Sequence, residues 1–167
     1  MFHIKNDKEY MLIIDDIIKN SRFNELKKIE HHGTTRFDHS LRVSYYSYKI
    51  SKKLGLDYMA TARAGLLHDF FLSDEDRTIQ EKFISTFTHP KKAVENAIME
   101  FQIDGKQMDI IRSHMFPLNL SIPKYIESWL VSTVDKMVGT YEFGKKFNTK
   151  LVYATNLFII LLINNMK

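Results

Sequence analysis

Apolar residues recur every three or four positions along six segments of the chain, a spacing typical of helices with one buried face. No two segments alternate between apolar and polar residues as paired strands would. The 167 residues include only 6 glycines and 3 prolines, which favours long helices joined by short connections. The pattern therefore predicts an all-α, compact helical bundle of about six or seven helices.

Capping residues and prolines set the bounds that we predict for these helices. Gly55 suits the end of one helix, and Asp57 suits the start of the next. The polar stretch 73–88 is predicted to be a loop that leads to a helix opened by Pro90. The predicted helices cover about 10–18, 37–54, 58–72, 90–101, 106–115 and 123–139, the last ending at Gly139.

The helix predicted over 37–54 carries two apolar stripes, so we expect it to be largely buried. One stripe consists of Phe37, Leu41, Tyr45 and Tyr48. The other consists of His39, Val43, Tyr46, Ile50 and Leu54. Because His39 lies on an apolar stripe, we expect its side chain to point into the core.

Several titratable residues lie in otherwise apolar helices. His68 and Asp69 stand together in AGLLHDFFL, and Asp135 stands in WLVSTVDKMVG. Burial of a carboxylate without a partner is very costly, so each aspartate requires compensation. His89 at a predicted helix entrance and His114 near a predicted helix end add two further imidazoles.

Two interpretations of this set are open. Taken singly, an inward histidine is more often a hydrogen-bonded core residue, and Asp135 can cap a helix or pair with a nearby lysine or arginine. Taken together, buried carboxylates and histidines on separate helices are compensated at once by a divalent cation. Because the chain has no cysteine, its ligands would be imidazole and carboxylate groups. These suit Mn, Fe, Ni, Co or Zn better than Mg.

Composition and charge narrow the classes of function. Hydrophobic residues make up 44% of the chain and charged residues 26%, which is ordinary for a soluble globular domain. The formal net charge is +4, and the charges are dispersed. A dedicated nucleic-acid surface usually has a denser basic patch, so we do not expect one. A small phosphorylated substrate is compatible with this charge.

The two ends of the chain bear on its location. The N-terminal MFHIKNDKEY lacks the apolar core of a secretory signal, and we expect a cytoplasmic protein. The segment LFIILLI, residues 157–163, is strongly apolar but shorter than the roughly 20 residues that a membrane span needs. We expect no transmembrane span, and we predict a buried helix or strand that packs against the domain or mediates a homodimer.

The order of His39, the His68-Asp69 pair and Asp135 resembles the H…HD…D signature of the HD-domain phosphohydrolase superfamily. The blocks TTRFDHSLRVS and ARAGLLHDFF are also similar to that family, and the resemblance spans about residues 31–140. It implies a compact all-α fold, and the length of the chain fits a single domain over residues 1–167. The N-terminal helix and the apolar C-terminal segment would pack on the motif core.

Dinuclear members of this superfamily carry two further histidines between the HD pair and the last aspartate. His89 and His114 lie in that interval. The resemblance therefore implies one or two divalent metal ions, with Asp69 as the bridge between a pair. The ligands that it implies are His39, His68, Asp69, His89, His114 and Asp135. The chain lacks a GYP motif after an HD pair, so cleavage of cyclic dinucleotides in particular is not supported.

The activity that the resemblance implies is hydrolysis of a phosphate ester of a nucleotide or another small phosphorylated metabolite by a metal-activated water. Asp69 and Lys136 are the predicted catalytic residues, with Lys136 as a contact to the substrate phosphate. An HD-fold di-iron oxygenase would use nearly the same ligands. A non-catalytic metal-binding or ligand-sensing module would use them without turnover. The sequence leaves these three classes open.

Other polar residues near the proposed ligands have less distinctive positions. His31 and His32 precede Gly33 in a predicted loop, and one of them is a candidate pocket residue. His3 is expected at the surface. Several basic residues are more typical of solvated surface charges than of substrate contacts, namely Arg36, Arg42, Lys91, Lys92 and Arg112.

Overall fold

Seven α-helices account for most of the part of the chain that the structure describes. The computed structural model describes residues 4, 6–31, 33–72 and 79–165, without the side chains at 31, 79–86, 146–147 and 150–165. In chain order, the elements are α1 (Lys8–Lys19), α2 (Ser21–Asn24), a 3-10 helix (Glu25–Lys28), β1 (Glu30–His31), β2 (Thr34–Thr35), α3 (Arg36–Leu54), α4 (Tyr58–Leu67), α5 (Ile79–Glu100), α6 (Gly105–Ser113) and α7 (Ile126–Asn165). The all-α prediction is confirmed.

The central helices pack in pairs around one core. Helix α3 packs against α4 and α7, and α6 packs against the same two helices, while α1 covers α4 and α5 covers α6. The largest fully buried apolar side chains are Tyr10, Ile14, Ile17, Phe23, Leu26, Tyr48, Leu66, Leu67, Phe70, Ile110 and Ile111. Because α1 and α6 pack against these central helices, polar groups on the inner faces of α3, α4 and α7 are removed from water.

Local sequence signals fix the ends of several helices as predicted. The Asp57 side chain accepts a hydrogen bond from the Ala60 backbone and caps the start of α4. Gly55 ends α3 with a φ of +69°, a left-handed conformation that glycine adopts without steric cost. Thr35 caps the start of α3 by accepting from the Asp38 backbone N–H. These caps place His39 in the first turns of a buried helix.

Small residues let α3 and α4 approach each other closely. Ser40, Ser44, Ser47 and Ser51 form a fully buried stripe on α3. The Ser44 hydroxyl accepts from the Tyr10 hydroxyl at 2.7 Å and donates to the Ala62 carbonyl of α4 at 2.6 Å. Gly65 of α4 lies against the backbone of Ser44. The close contact brings the end of α4 near His39.

One predicted apolar stripe of α3 is only partly buried. His39 and Val43 are buried, but Tyr46, Ile50 and Leu54 are exposed by 50%, 39% and 61%. The expectation that both stripes are buried is therefore wrong for the second half of the helix. The reason is that the neighbouring helices cover this face only around the polar cluster, near the start of α3.

Helix α5 begins earlier than predicted, and the loop predicted over 73–88 is wrong for its second part. Residues 79–88 are helical, and Pro90 lies inside α5 rather than at its first position. The repeat of Ile79, Phe83 and Phe87 carries the helical spacing that the polar neighbours obscure. Proline in a helix interior removes one hydrogen bond, which the rest of this long helix tolerates.

Helix α7 continues beyond its predicted end at Gly139 and runs to Asn165. Gly139 does not have the positive φ of a helix-ending glycine, which occurs among the described residues at Gly33 and Gly55. A glycine inside a helix costs only about 1 kcal/mol relative to alanine, so it need not end one. The segment 157–163 is helical, while its predicted burial lies outside the described side chains.

No helix in the described part of the chain is both long enough and apolar enough to cross a membrane.

A short antiparallel ladder precedes α3, although no strands are predicted. Glu30 pairs with Thr35, and His31 pairs with Thr34. Gly33 has a φ of +87°, which allows the chain to reverse between the two strands. Pairing of two residues on each side is too short to leave an alternating pattern in the sequence. The ladder leads directly into the cap of α3.

We expect Gly65→Ala to be less stable than Gly139→Ala. A Cβ at Gly65 would lie 3.1 Å from the Cα of Ser44, whereas a Cβ at Gly139 meets nothing within 4 Å outside its own helix. Alanine favours a helix over glycine at both positions, but overpacking, which is expected only at Gly65, typically costs about 1–3 kcal/mol. Urea denaturation should therefore separate the two variants by about 1–3 kcal/mol. Equal unfolding free energies would contradict the close packing of α3 on α4.

Candidate metal centre

His39 lies between two carboxylates that α7 supplies. Its side chain is buried on α3, 1% exposed, as predicted. The His39 Nε2 atom is 3.0 Å from Oδ1 of Asp135, and its Nδ1 is 2.8 Å from Oε2 of Glu142. Because a carboxylate only accepts, each ring nitrogen that bonds to one must carry a proton in the metal-free protein. His39 therefore joins the start of α3 to two carboxylates that lie two helical turns apart on α7.

The His68-Asp69 pair lies in a turn after α4, not within the helix predicted over 58–72. Helix α4 ends at Leu67, and the Phe71 N–H donates to the Asp69 carbonyl at 2.7 Å. The reason is that the backbone turns toward the core here, which carries Phe70 inward as well. The turn presents the two titratable side chains together at the end of a helix.

Hydrogen bonding to the end of α4 fixes the ring of His68. Its Nδ1–H donates to the Gly65 carbonyl at 2.8 Å, one of the helix-end carbonyls that lack an intrahelical partner. The Nε2 atom is buried and has no hydrogen-bond partner among the described residues. It lies 3.5 Å from Oδ1 of Asp135 and 3.7 Å from Oδ2 of Asp69. A buried ring nitrogen thus faces two carboxylates.

His114 is held at the end of α6 in the same way. It caps that helix, and its Nδ1–H donates to the Ile111 carbonyl at 2.7 Å. The Nε2 atom then lies 3.0 Å from Nε2 of His89 and 3.6 Å from Oδ1 of Asp69. The distance from Nε2 of His89 to Oδ1 of Asp69 is 3.3 Å. Two histidines from different helices therefore face one oxygen of Asp69.

The six predicted ligands lie in one buried cluster. Two overlapping groups, each with ligand atoms within 4.8 Å of one another, are His39 with His68 and Asp135, and His68 with Asp69 and His114. Oδ2 of Asp69 faces His68, while its Oδ1 faces His89 and His114. The cluster therefore has two ends that meet at Asp69.

The distances between these atoms fit coordination of a divalent ion. Two ligand atoms at about 2.1 Å from one ion lie about 3.0 Å apart at a right angle and about 3.4 Å apart at a tetrahedral angle. The separations of 3.0 Å between His39 and Asp135 and 3.0 Å between His89 and His114 match the first value. The separation of 3.5 Å between His68 and Asp135 is close to the second. Together with the unpartnered Nε2 of His68, this donor set can hold metal ions.

Protons on two histidines compensate the carboxylates in the metal-free protein. Burial lowers the pKa of His39, but hydrogen bonds to Asp135 and Glu142 outweigh it and raise the pKa to about 10. Burial also lowers the pKa of His68, but the charge of Asp69 and the other contacts outweigh it, so that the pKa of His68 is raised. Burial would raise the pKa of Asp69 and Asp135, but the neighbouring histidines hold both values well below the usual range. The buried aspartates are therefore ionised.

His114 differs in charge from the other two imidazoles. Burial, and then the charge of His68, lower its pKa to about 3. It is therefore neutral near pH 7, with its Nδ1–H bonded to a carbonyl and its Nε2 carrying the lone pair. A neutral imidazole with this tautomer is the form that binds a metal ion.

Phe71 packs against the His89 ring, and Arg36 packs against Phe71. The Phe71 ring stacks on His89 with centroids 4.8 Å apart. The Arg36 guanidinium lies 3.8 Å from the centre of the Phe71 ring and donates to the Phe71 carbonyl at 2.6 Å. Arg36 is 6% exposed, so the prediction that it is a solvated surface charge is wrong. Its planar group is stabilised by the aromatic face, a contact that sequence spacing does not indicate.

The other basic residues take mixed positions. Lys91, Lys92 and Arg112 are exposed, as predicted. Lys136 follows Asp135, but its ammonium donates to the His114 carbonyl at 3.0 Å and to the hydroxyl and carbonyl of Ser132 at 2.7 and 3.1 Å. These bonds use its three donors, so its contact to a substrate stays a prediction.

The side chains of the remaining candidate histidines lie outside the described residues. His31 lies in β1, and its side chain is outside the described residues, as are His3 and His32. Their predicted surface or pocket positions therefore stay predictions.

Glu142 is a buried member of the cluster that the sequence reasoning did not include. It accepts from His39 through Oε2 and from Arg42 through Oε1, so Arg42 is also paired rather than simply solvated. Glu142 is seven residues after Asp135, two helical turns along the same face. That spacing would have identified it, but the helix was predicted to end at Gly139.

The fold and the cluster define an all-α protein with a buried set of histidine and aspartate donors for divalent ions. The HD domain family matches residues 36–139, more than half of the chain. The chain therefore belongs to the HD domain family. No curated protein and no solved structure matches it.

Family membership confirms the resemblance and supplies a coarse function. HD domains bind divalent metals, and the family consists generally of phosphohydrolases. The match contains the six predicted ligands and ends before Glu142. The chain is thus a member of a superfamily of metal-dependent hydrolases.

A divalent cation should raise the thermal midpoint of unfolding of metal-free protein. Binding to the native state alone stabilises it by about 2.7 kcal/mol when the ion is at 100 times its Kd. Differential scanning fluorimetry with Mn²⁺ or Ni²⁺ measures the shift. Asp69→Ala should remove most of it, because Asp69 lies at the junction of both donor groups.

The matched control is Asp15→Ala, which removes a half-exposed carboxylate that is paired with Lys19. This variant should keep the full shift. An equal shift in Asp69→Ala and in the unaltered protein would contradict the assignment of the metal centre to this cluster.

Proposed function

We propose that this protein is a metal-dependent phosphohydrolase that cleaves a phosphate ester of a nucleotide or another small phosphorylated metabolite. The observation that carries the proposal is the position of Asp69. One of its oxygens faces His68, and the other faces His89 and His114. A carboxylate between two sets of imidazoles would suit the binding of two neighbouring divalent ions.

The proposed ligands divide into two sets. His39, His68, Asp69 and Asp135 would hold one ion, and Asp69, His89 and His114 would hold the other. When bound, such ions lower the pKa of a coordinated water toward neutrality and stabilise negative charge on phosphoryl oxygens. Nitrogen and carboxylate ligands favour Mn, Fe, Ni, Co or Zn over Mg.

The protein itself orients the metal-binding side chains before any metal ion or substrate binds. The bonds from Nδ1–H of His68 and His114 to the carbonyls at the ends of α4 and α6 fix both rings with Nε2 toward the cluster. The stack of Phe71 on His89 limits rotation of that ring. Because the groups are already placed, little reorganisation is needed when charge develops in the transition state.

Asp135 is the most exposed of the six proposed ligands. Its side chain is 14% exposed, whereas those of His89 and Asp69 are 9% and 7% exposed and those of His68 and His114 are 0% and 1% exposed. An ion held by four protein donors would keep positions open for water and a phosphoryl oxygen. The Asp135 side is therefore where a small phosphate ester would approach, and the net charge of +4 favours an anionic substrate.

The test is a screen of phosphate esters with the whole protein. Metal-free protein is loaded with Mn²⁺ or Ni²⁺, and release of inorganic phosphate is measured from nucleoside mono-, di- and triphosphates and from p-nitrophenyl phosphate. We expect turnover that depends on the ion and falls more than about a hundredfold in Asp69→Ala but not in Asp15→Ala. The Asp69→Ala loss is expected because both sets of ligands lose a member.

The outcomes separate the three classes of function. Confirmed metal binding without turnover of any of these esters would contradict a phosphohydrolase and favour a non-catalytic module. A mixed-valent di-iron signal in electron paramagnetic resonance, together with oxygen consumption, would contradict it in favour of an oxygenase.

The number of ions can be tested separately. If His89 belongs to the second set only, His89→Ala should lower the bound metal from two ions per chain to one. Elemental analysis of dialysed protein measures this content, and the first ion should still stabilise the fold. Loss of both ions, or of neither, would contradict the proposed division of ligands.

A further inference from the structure

Glu142 has contacts that single it out from the other carboxylates near the cluster. Its Oε2 accepts from Nδ1–H of His39 at 2.8 Å, on the side of the ring away from Asp135. Its Oε1 accepts from the Arg42 guanidinium. The residue is 6% exposed and lies on α7 beyond the part of the chain that matches the HD domain family. Neither oxygen faces the other members of the cluster in the described contacts.

Two other histidines of the cluster donate from Nδ1–H to weaker acceptors. Nδ1–H of His68 and of His114 donate to neutral backbone carbonyls. His39 instead donates to the Glu142 carboxylate, whose other oxygen accepts from the Arg42 guanidinium. A charged acceptor behind an imidazole fixes its tautomer and makes its opposite nitrogen a stronger metal donor.

Arg42 and His39 constrain Glu142 from two sides. Arg42 follows His39 by three residues on α3, so both side chains project from one face of the helix. A carboxylate can accept from both, one bond to each oxygen. A carboxamide cannot, since its –NH₂ group would face either the guanidinium or the imidazole N–H. The arrangement therefore requires glutamate rather than glutamine.

We propose that Glu142 is a positioning residue for the metal ligand His39. It holds the Nδ1–H tautomer and aims Nε2 at the ion that His68 and Asp135 also bind. The inference rests on the proposed metal centre but not on the identity of the substrate. Glu142 touches neither the ion nor the substrate, so its effect passes through His39 and is seen first in metal affinity.

The test compares Glu142→Gln with Glu127→Gln. Glu127 is also 6% exposed, lies on the same helix and is paired with a cation, Lys106, but its contacts are to Lys106 and the Asp57 backbone. Each variant loses an ion pair between a buried glutamate and a partly exposed cation, and Glu142→Gln also loses its contact to His39. Thermal midpoints of both variants are measured, so that metal affinities are compared between proteins of known stability.

Metal affinity is measured on the full chain by competition with a chromophoric chelator for Zn²⁺ and Mn²⁺. We expect Glu142→Gln to weaken binding at the tighter site about 10–100-fold and Glu127→Gln to leave it within about twofold. Glu142→Asp should recover part of the loss, because it keeps the charge. Equal affinities of Glu142→Gln and the unaltered protein would overturn the proposal, as would equal losses in the two glutamine variants.

A second measurement keeps the proposal testable if Glu142→Gln does not fold. In unaltered protein loaded with Zn²⁺, long-range ¹H–¹⁵N correlation spectra report which ring nitrogen of His39 carries the proton. We expect a protonated, hydrogen-bonded Nδ1 and a metal-bound Nε2. The reverse assignment would overturn the role of Glu142.

The results also separate this inference from the proposed function. Protein that binds metal and hydrolyses no phosphate ester contradicts the proposed activity, while the affinity comparison still decides the role of Glu142. Unaltered protein that binds no divalent ion overturns both.

Discussion

The burial of two ionised aspartates is the constraint on which the rest of the structure depends. Asp69 is buried and the Asp135 side chain is only 14% exposed, and an uncompensated carboxylate is very unfavourable in such surroundings. In the metal-free protein, protons on His39 and His68 supply the compensating charge. Divalent metal ions would supply it to the whole cluster at once. Stability of the interior and metal binding are thus aspects of one electrostatic arrangement.

Helix ends deliver the donors with defined orientation. His68 follows α4 and His114 caps α6, and each donates Nδ1–H to the carbonyl three residues earlier. The same bond satisfies a carbonyl that has no intrahelical partner and points Nε2 inward. Asp135 and Glu142 lie two helical turns apart on α7, on either side of the His39 ring. Close packing of α3 on α4, which Gly65 permits, brings these ends within ligand distance.

The fold and most of the cluster follow from the sequence because both depend on periodic burial. The 3.6-residue spacing predicts the helices, and a titratable residue on an apolar face is informative for the same reason. Where local signals are ambiguous the predictions fail: Pro90 and Gly139 are typical of helix bounds, yet both lie inside helices. Because the helix was predicted to end at Gly139, Glu142 was not placed on the same helical face as Asp135. The burial of Arg36 depends on Phe71, a partner distant in sequence, so no local pattern could predict it.

The most direct test of the account is the position of a metal ion. Anomalous diffraction from crystals of the protein grown or soaked with Mn²⁺ locates such an ion without reference to activity. The account predicts peaks inside the cluster, one about 2.0–2.3 Å from Nε2 of His39 and His68 and an oxygen of Asp135, with Asp69 bound as well. Peaks only at surface carboxylates, with His39 still hydrogen-bonded to Asp135, would contradict it.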